Sequence, residues 1–165
     1  MAAVFSECGR YRYALRRHLT AFTGDNLRIL WVMLNPSTAD ANVDDPTIRR
    51  CKQFSADFGF NVMDVGNVYG FRATDPMLLT GMSEAASVGK ENDHHLSRMA
   101  FQADMIMCAW GTKVSHRRAL RVMSLLRTAG PLYALRITAA GHPAHPLYLP
   151  KSLRPILFEP GSPLR

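Results

Sequence analysis

The sequence predicts an α/β fold: a three-layer, four-stranded, mostly parallel sheet flanked by helices. Three observations predict it. Four short, nearly continuous apolar segments recur: "RILWVML" (28–34), "VMDVGNV" (62–68), "MIMCAW" (105–110) and "LYALRI" (132–137). Segments of that length and apolarity suit strands buried on both faces. Helical patterns lie between them, giving the order β-α-β-α-β-α-β, and right-handed crossovers then produce parallel strands covered on both sides.

The first helix is expected from Asp45-Pro46, because Asp is a good N-cap and Pro is favoured at the first helical position. Ile48, Cys51, Ser55 and Phe58 then share a face, and Gly59 follows as a stop. A second helix is expected over 92–103, with Leu96, Met99, Ala100 and Ala103 inward. A third covers 116–128, with Leu120, Met123 and Leu126 inward and Arg117, Arg118, Arg121 and Arg127 on its outer surface. Ahead of the first strand, "YRYALRRHLT" reads as either a short basic helix or an extended arm. The last fifteen residues, "KSLRPILFEPGSPLR", are Pro-rich and read as a loosely docked tail. No linker, repeat or low-complexity tract divides residues 1–165, which read as a single domain.

The 165 residues suffice for one domain with a real core. A composition 47% hydrophobic and 20% charged is that of a globular chain. The net charge of +7 favours polyanionic partners, nucleic acid above all. Three scattered cysteines without a CxxC pair argue against a thiolate zinc site or an iron–sulfur cluster. The N-terminus lacks the apolar run of a signal peptide, and no apolar run is long enough to span a bilayer. A cytoplasmic monomer without a cofactor or membrane contact is therefore expected.

In open parallel sheets, ligands bind beyond the carboxyl ends of the strands. The segments found there are "NPSTAD", "YGFRATDP" with Asn67 just inside, "GTK" and "GHPAHPLYLP". Asn, Asp, Arg and His thus gather at one end of the expected sheet. His142 and His145 form an H-x-x-H pair, but no third ligand accompanies them, so a metal is not expected. His94-His95 reads as a solvated helix face. Tyr11-Arg12-Tyr13 would either stack bases or sit on the core.

The strings "LNPSTAD", "DDPTIRRC", "GNVYGFRATDP", "KEND" and "HPLYLP" together resemble the domain of unknown function 1643 family, over nearly the whole chain. A more distant resemblance is to the uracil-DNA glycosylase superfamily, whose fold is also a four-stranded parallel sheet flanked by helices. "LNPS" is similar to its I-N-P-G motif, which implies that Asn35 positions the attacking water, with Pro36 and Ser37 beside the substrate. "HPLYLP" is similar to its H-P-S motif, which implies that His145 stabilises the departing base. "GNVYGFRATDP" is similar to a T-N-V-V-K-x-R-P-P-like segment, which puts Asn67 and Arg72 in the pocket. Ser37 replaces an aromatic and Leu147 replaces a Ser, so the implied pocket differs from one for plain uracil.

Cleaving an N-glycosidic bond builds positive charge on the sugar and negative charge on the base. The site needs a held water, an anion or dipole facing the sugar, and a donor facing the base. Asp40 and Asp44 are candidates for base or electrostatic partner. Asp45 reads first as the helix cap, although it is near enough in sequence to serve the same way. Asn92 is either an N-cap or a pocket residue. Base flipping would call for an apolar wedge, for which Leu147, Tyr148 and Leu149 are candidates. Arg10, Arg12, Arg16, Arg17, Arg49, Arg50, Lys113, Arg117 and Arg118 are candidates for DNA-backbone contacts. The leading expectation is a DNA glycosylase-like hydrolase acting on a modified or damaged base. Hypermodified phage bases would make it an antiviral enzyme. The alternatives are a hydrolase of free modified nucleotides or nucleosides and a non-catalytic nucleic-acid-binding module.

Overall fold

A computed structural model of the chain describes residues 3–19, 26–37 and 43–159. The strands are β1 (Ala3–Phe5), β2 (Arg12–His18), β3 (Arg28–Met33), β4 (Val62–Asn67), β5 (Met105–Cys108), β6 (Leu132–Ala134) and β7 (Ile156–Leu157). The helices are α1 (Pro46–Asp57), α2 (Glu84–Val88), α3 (Asn92–Gln102) and α4 (His116–Arg127), with a 3-10 turn at Pro76–Gly81.

The four expected strands form the centre, in the order β4-β3-β5-β6, and they run parallel. The sheet itself is larger than expected. Among the described residues it has seven strands in the order β1-β2-β4-β3-β5-β6-β7, and the three added strands all pair antiparallel. The fold is thus a mixed α/β sheet flanked by helices, not a four-stranded, mostly parallel one. The basic N-terminal stretch takes the extended alternative and becomes β2. Its place beside β4 is secured by Arg16, whose guanidinium forms two bonds of 2.6 and 2.9 Å to the buried Asp64 carboxylate. Of the C-terminal stretch, residues 151–159 are described, and this part is docked. Ile156 and Leu157 pair with β6, and Phe158 is buried edge-to-face on Trp110, 5.8 Å between ring centres.

β3 is the centre of the core, with Ile29, Leu30, Trp31 and Val32 fully buried. Alternate residues feed two apolar clusters. Leu30, Val32 and Leu34 pack with Leu96 and Met99 of α3 and Val122 and Leu126 of α4. Ile29, Trp31 and Met33 pack with Ile48, Cys51 and Phe54 of α1. Buried Trp31 satisfies its indole N–H on Ser55 Oγ (2.9 Å), which donates in turn to Cys51 O (2.7 Å). α3 approaches β4 closely because Gly66 has no side chain: a Cβ there would lie 2.5 Å from Leu96 Cδ2.

Helix starts follow their caps. Asp45 accepts from Ile48 N ahead of α1, and Ser115 accepts from Arg118 N ahead of α4. Gly59, at φ 85°, lies just past the α1 C-cap, as expected. Two expected faces are corrected. On α1, Phe54 is buried and Phe58 only half-buried. On α4, Leu120 is exposed while Arg118 is 1% exposed, because the helix turns Arg118 toward the end of β4. Among the described residues, no helix is long and apolar enough to cross a membrane.

The buried Phe158 makes a direct test of the C-terminal strand. Phe158→Ala should cost about 3–5 kcal/mol of stability, as for other buried Phe truncations. Urea denaturation measures it, and a loosely docked tail would give a change within about 0.5 kcal/mol.

Candidate functional site

The chain leaves β3 through α1 to β4 on one side, then crosses through α3 to β5 on the other. A crevice beyond the carboxyl ends of β3 and β5 is the expected consequence of that reversal. A cavity of about 470 Å³ lies there, lined among others by Met33, Leu34, Asn35, Asn67, Trp110 and His145.

Its floor is an irregular extension of the β3–β4 pairing. Val68 N donates to Met33 O (2.8 Å), Tyr69 N to Leu34 O (2.9 Å) and Ala73 N to Pro36 O (3.0 Å). The Asn35 amide fixes the same two segments: Nδ2 donates to Ala73 O (2.8 Å) and Pro36 O (3.1 Å). Those two acceptors assign the amide orientation, so Oδ1 remains as a hydrogen-bond acceptor. On the neighbouring strand, Asn67 is buried, and its Nδ2 has no partner among the described residues. Its backbone carbonyl is held from below by Asn92 Nδ2 at 2.9 Å.

Arg12 reaches the cavity because β2 and β4 fall out of step. Leu15 pairs with Val65 and Tyr11 bridges Phe71, so five residues of one segment, Tyr11 to Leu15, span what seven, Val65 to Phe71, span on the other. Arg12 is 3% exposed. Its pKa is lowered to about 10 by burial, against the opposing pull of Asp45 and with further lowering from Arg72 and Arg17. Asp45 itself lines the cavity. One carboxylate oxygen caps α1 by accepting from Ile48 N (2.8 Å), and the other accepts from Ser37 Oγ (2.9 Å).

His145 stands on the wall in the loop after β6. That loop is tied to the one after β5 by Gly111 N donating to Pro143 O (2.8 Å). Nδ1 of His145 accepts from Leu147 N (3.3 Å), so the proton of the neutral ring sits on Nε2. His145 is an exposed residue of the cavity wall, yet enough protein surrounds it that desolvation lowers its pKa, against a smaller pull from Asp45. The wall therefore offers one acceptor at Asn35, donors at Asn67 and His145, the cations Arg12 and Lys113, and the carboxylate of Asp45.

Of the residues expected at a site, Arg12, Asn35, Ser37, Asp45, Asn67, Lys113 and His145 line this one cavity. Asp40 lies outside the described residues. Asp44 is turned away into ion pairs with Arg17 and Lys52, each 2.8 Å. Burial alone would raise the Asp44 pKa, but the bonds from Lys52 and Arg17 outweigh it and the pKa falls. Pro36 contributes its carbonyl to the floor but no wall surface. Asn92 is neither cap nor wall; it is the fully buried first residue of α3. Arg72 is off the wall, donating to Gly9 O (3.0 Å) with its guanidinium 5.0 Å from the Phe5 ring centre. Leu147 and Tyr148 are also off it, although Tyr148 is 94% exposed three residues from His145. Leu149 is buried and so no wedge.

The expected phosphate contacts divide. Arg117 is exposed. Arg49 donates to Asp44 O, and Arg50 donates to Leu149 O and stacks on Phe54. Arg118 is not available to a phosphate: Nε and Nη2 donate to Val68 O (2.9 and 2.7 Å), and Nη1 and Nη2 donate to Asp93 (3.1 and 2.6 Å). Trp110 and Thr138 also line the wall; neither carries a sequence signal of its own, Trp110 beyond its place at the end of an apolar segment. Among the described residues, no group of three or more His, Cys, Asp or Glu is placed to hold a metal.

A family model described as "Protein of unknown function (DUF1643)" matches residues 12–147. The chain belongs to the DUF1643 family. The DUF1643 span begins at Arg12 and ends just past His145, so it contains every residue lining the cavity. β1 and β7 lie outside it. No curated protein and no solved structure matches the chain.

The histidine environments predict a pH dependence. Desolvation lowers the pKa of both His145 and His95 in the folded chain, in His95 with help from His94 and Arg98. Below the ordinary histidine value of about 6.5, the unfolded chain binds more protons, so stability falls as pH drops through that value. NMR titration should place both midpoints below about 6.5. A His145 midpoint above that value would mean that Asp45 outweighs desolvation.

Proposed function

We propose that this protein is a DNA glycosylase-like hydrolase that cleaves the N-glycosidic bond of a modified or damaged base. One observation carries the reading. Asn35 and His145, 110 residues apart, share a cavity at the carboxyl end of the sheet with Asn67 between them in sequence. These are the residues that the motif resemblance nominates for water, leaving base and base edge.

The chemistry suits their geometry. Asn35 Oδ1 accepts a hydrogen bond from the attacking water, while its Nδ2 stays anchored to the floor. His145 Nε2–H donates to the departing base as negative charge grows on it. Asn67 offers Nδ2 to an acceptor on the base edge. The cavity volume falls within the range of about 300–1,000 Å³ usual for small-molecule sites. Exposed Tyr148 near His145 offers an aromatic face for stacking, and the charge of +7 favours a polyanion.

A second reading, hydrolysis of a free modified nucleotide, is favoured by the fate of the arginines. Arg50, Arg72 and Arg118 donate to protein groups, while Lys113 lines the cavity itself. Side-by-side assays of base release from oligonucleotides and free nucleotides, both carrying modified bases, separate the two. The leading reading predicts release from the polymer, with binding that weakens as salt rises. Release from nucleotides alone supports the second. Asn35→Ala and His145→Ala should each lower release about 100-fold or more. Thermal melting should show both variants folded. Activity retained in both would sink the residue roles, and no release by the wild type from either class would sink the function.

A further inference from the structure

Glycoside hydrolysis also needs an acceptor for the proton of the attacking water, and the proposed function leaves that role open. Asp44 is spent on Arg17 and Lys52. Among the described residues, Asp45 is the only acidic side chain on the cavity wall. Its cap bond uses Oδ1, and its other oxygen accepts from Ser37 Oγ, also on the wall, at 2.9 Å. A carboxylate oxygen can accept more than one hydrogen bond, so capping does not exhaust Asp45. The Ser37 hydroxyl, while donating to Asp45, keeps lone pairs for a water.

We infer that Asp45 is the general base of the site and that Ser37 relays the proton to it. This rests on the glycosidase reading and deepens it. The water oxygen bonds to the anomeric carbon as the carbon–nitrogen bond breaks. The electron pair of that bond leaves with the base, which His145 Nε2–H stabilises and solvent then protonates. The water proton passes to Ser37 Oγ while the Ser37 proton passes to Asp45. Asp45 later returns that proton to solvent, so the net reaction is glycoside plus water giving free sugar hydroxyl plus base. Asp45 also faces the charged or titratable groups of Arg12 and His145 across the cavity.

The cap and the base can be separated by one substitution. Asn is as good an N-cap as Asp but cannot take the proton. On a substrate that the wild type cleaves, Asp45→Asn should lower kcat about 100-fold or more, the usual worth of a general base. KM should stay within about threefold, and the melting temperature should stay nearly unchanged. The acidic limb of the kcat profile, where activity rises as the base ionises, should vanish in Asp45→Asn and persist in Ser37→Ala. Ser37→Ala should cost about tenfold, since water can replace the relay. Asp45→Asn retaining more than about a third of wild-type kcat, or keeping the acidic limb, overturns the assignment and leaves the glycosidase reading standing. A wild type that releases no base from any oligonucleotide or nucleotide overturns both.

Discussion

The buried guanidinium of Arg118 is the contact on which the site end of the molecule depends. It sits where β4 ends, donates twice to Val68 O, and holds Asp93 of α3 with two further bonds. Arg121 adds a bond of 2.9 Å to the same carboxylate from the next turn of α4. Two helices and the central sheet are thereby locked at one point. Removing one partner of such a buried pair leaves an uncompensated charge, which typically costs about 3–5 kcal/mol. Asn92 completes the clamp by donating to the carbonyls of Asn67 and Val68. With the backbone of 67–68 fixed from below, the following residues pair with 33–36 from the side. The Asn35 and Asn67 side chains then meet the cavity from a rigid floor.

The opposite wall is built on a different principle. Asp45 starts α1, and the same carboxylate orients Ser37 from the loop that precedes it. Helix initiation and site geometry therefore share one residue. A carboxylate among Arg12, Lys113 and His145 also offsets the positive charge of the cavity. Floor and wall are tied to separate halves of the core, α3 and α4 on one face and α1 on the other, so ligand binding at their junction would couple both faces of the sheet.

How far the sequence revealed this differs from element to element. The central strands and the helices α1, α3 and α4 were legible because each carries its own local signal: an apolar run, a cap or a 3.6-residue stripe. β2 was ambiguous because "RYALRRH" alternates poorly; Arg16 and Arg17 find their ion-pair partners in Asp64 and Asp44, 48 and 27 residues further along the chain. β7 has two residues, too few to carry a period. Arg118 read as surface because an arginine on a helix usually is. What buries it is a carbonyl 50 residues earlier in the chain. Asn35 and His145 could be found because strand ends and motifs pointed to them. The division between Asp44 and Asp45 could not, since adjacent carboxylates in a loop differ only in which partners the fold brings to them.

The central claim is that ligand enters the cavity at the strand ends. The chain contains two tryptophans, and they form a matched pair of reporters. Trp110 lines the cavity with its indole N–H unpartnered among the described residues, whereas the indole of Trp31 is bonded to Ser55 inside the core. Titration of the 15N-labelled protein with an oligonucleotide carrying an abasic site, the expected product, reads both at once. The account predicts that the Trp110 indole resonance moves with saturation while that of Trp31 stays in place. Saturable binding that leaves Trp110 unmoved would contradict it.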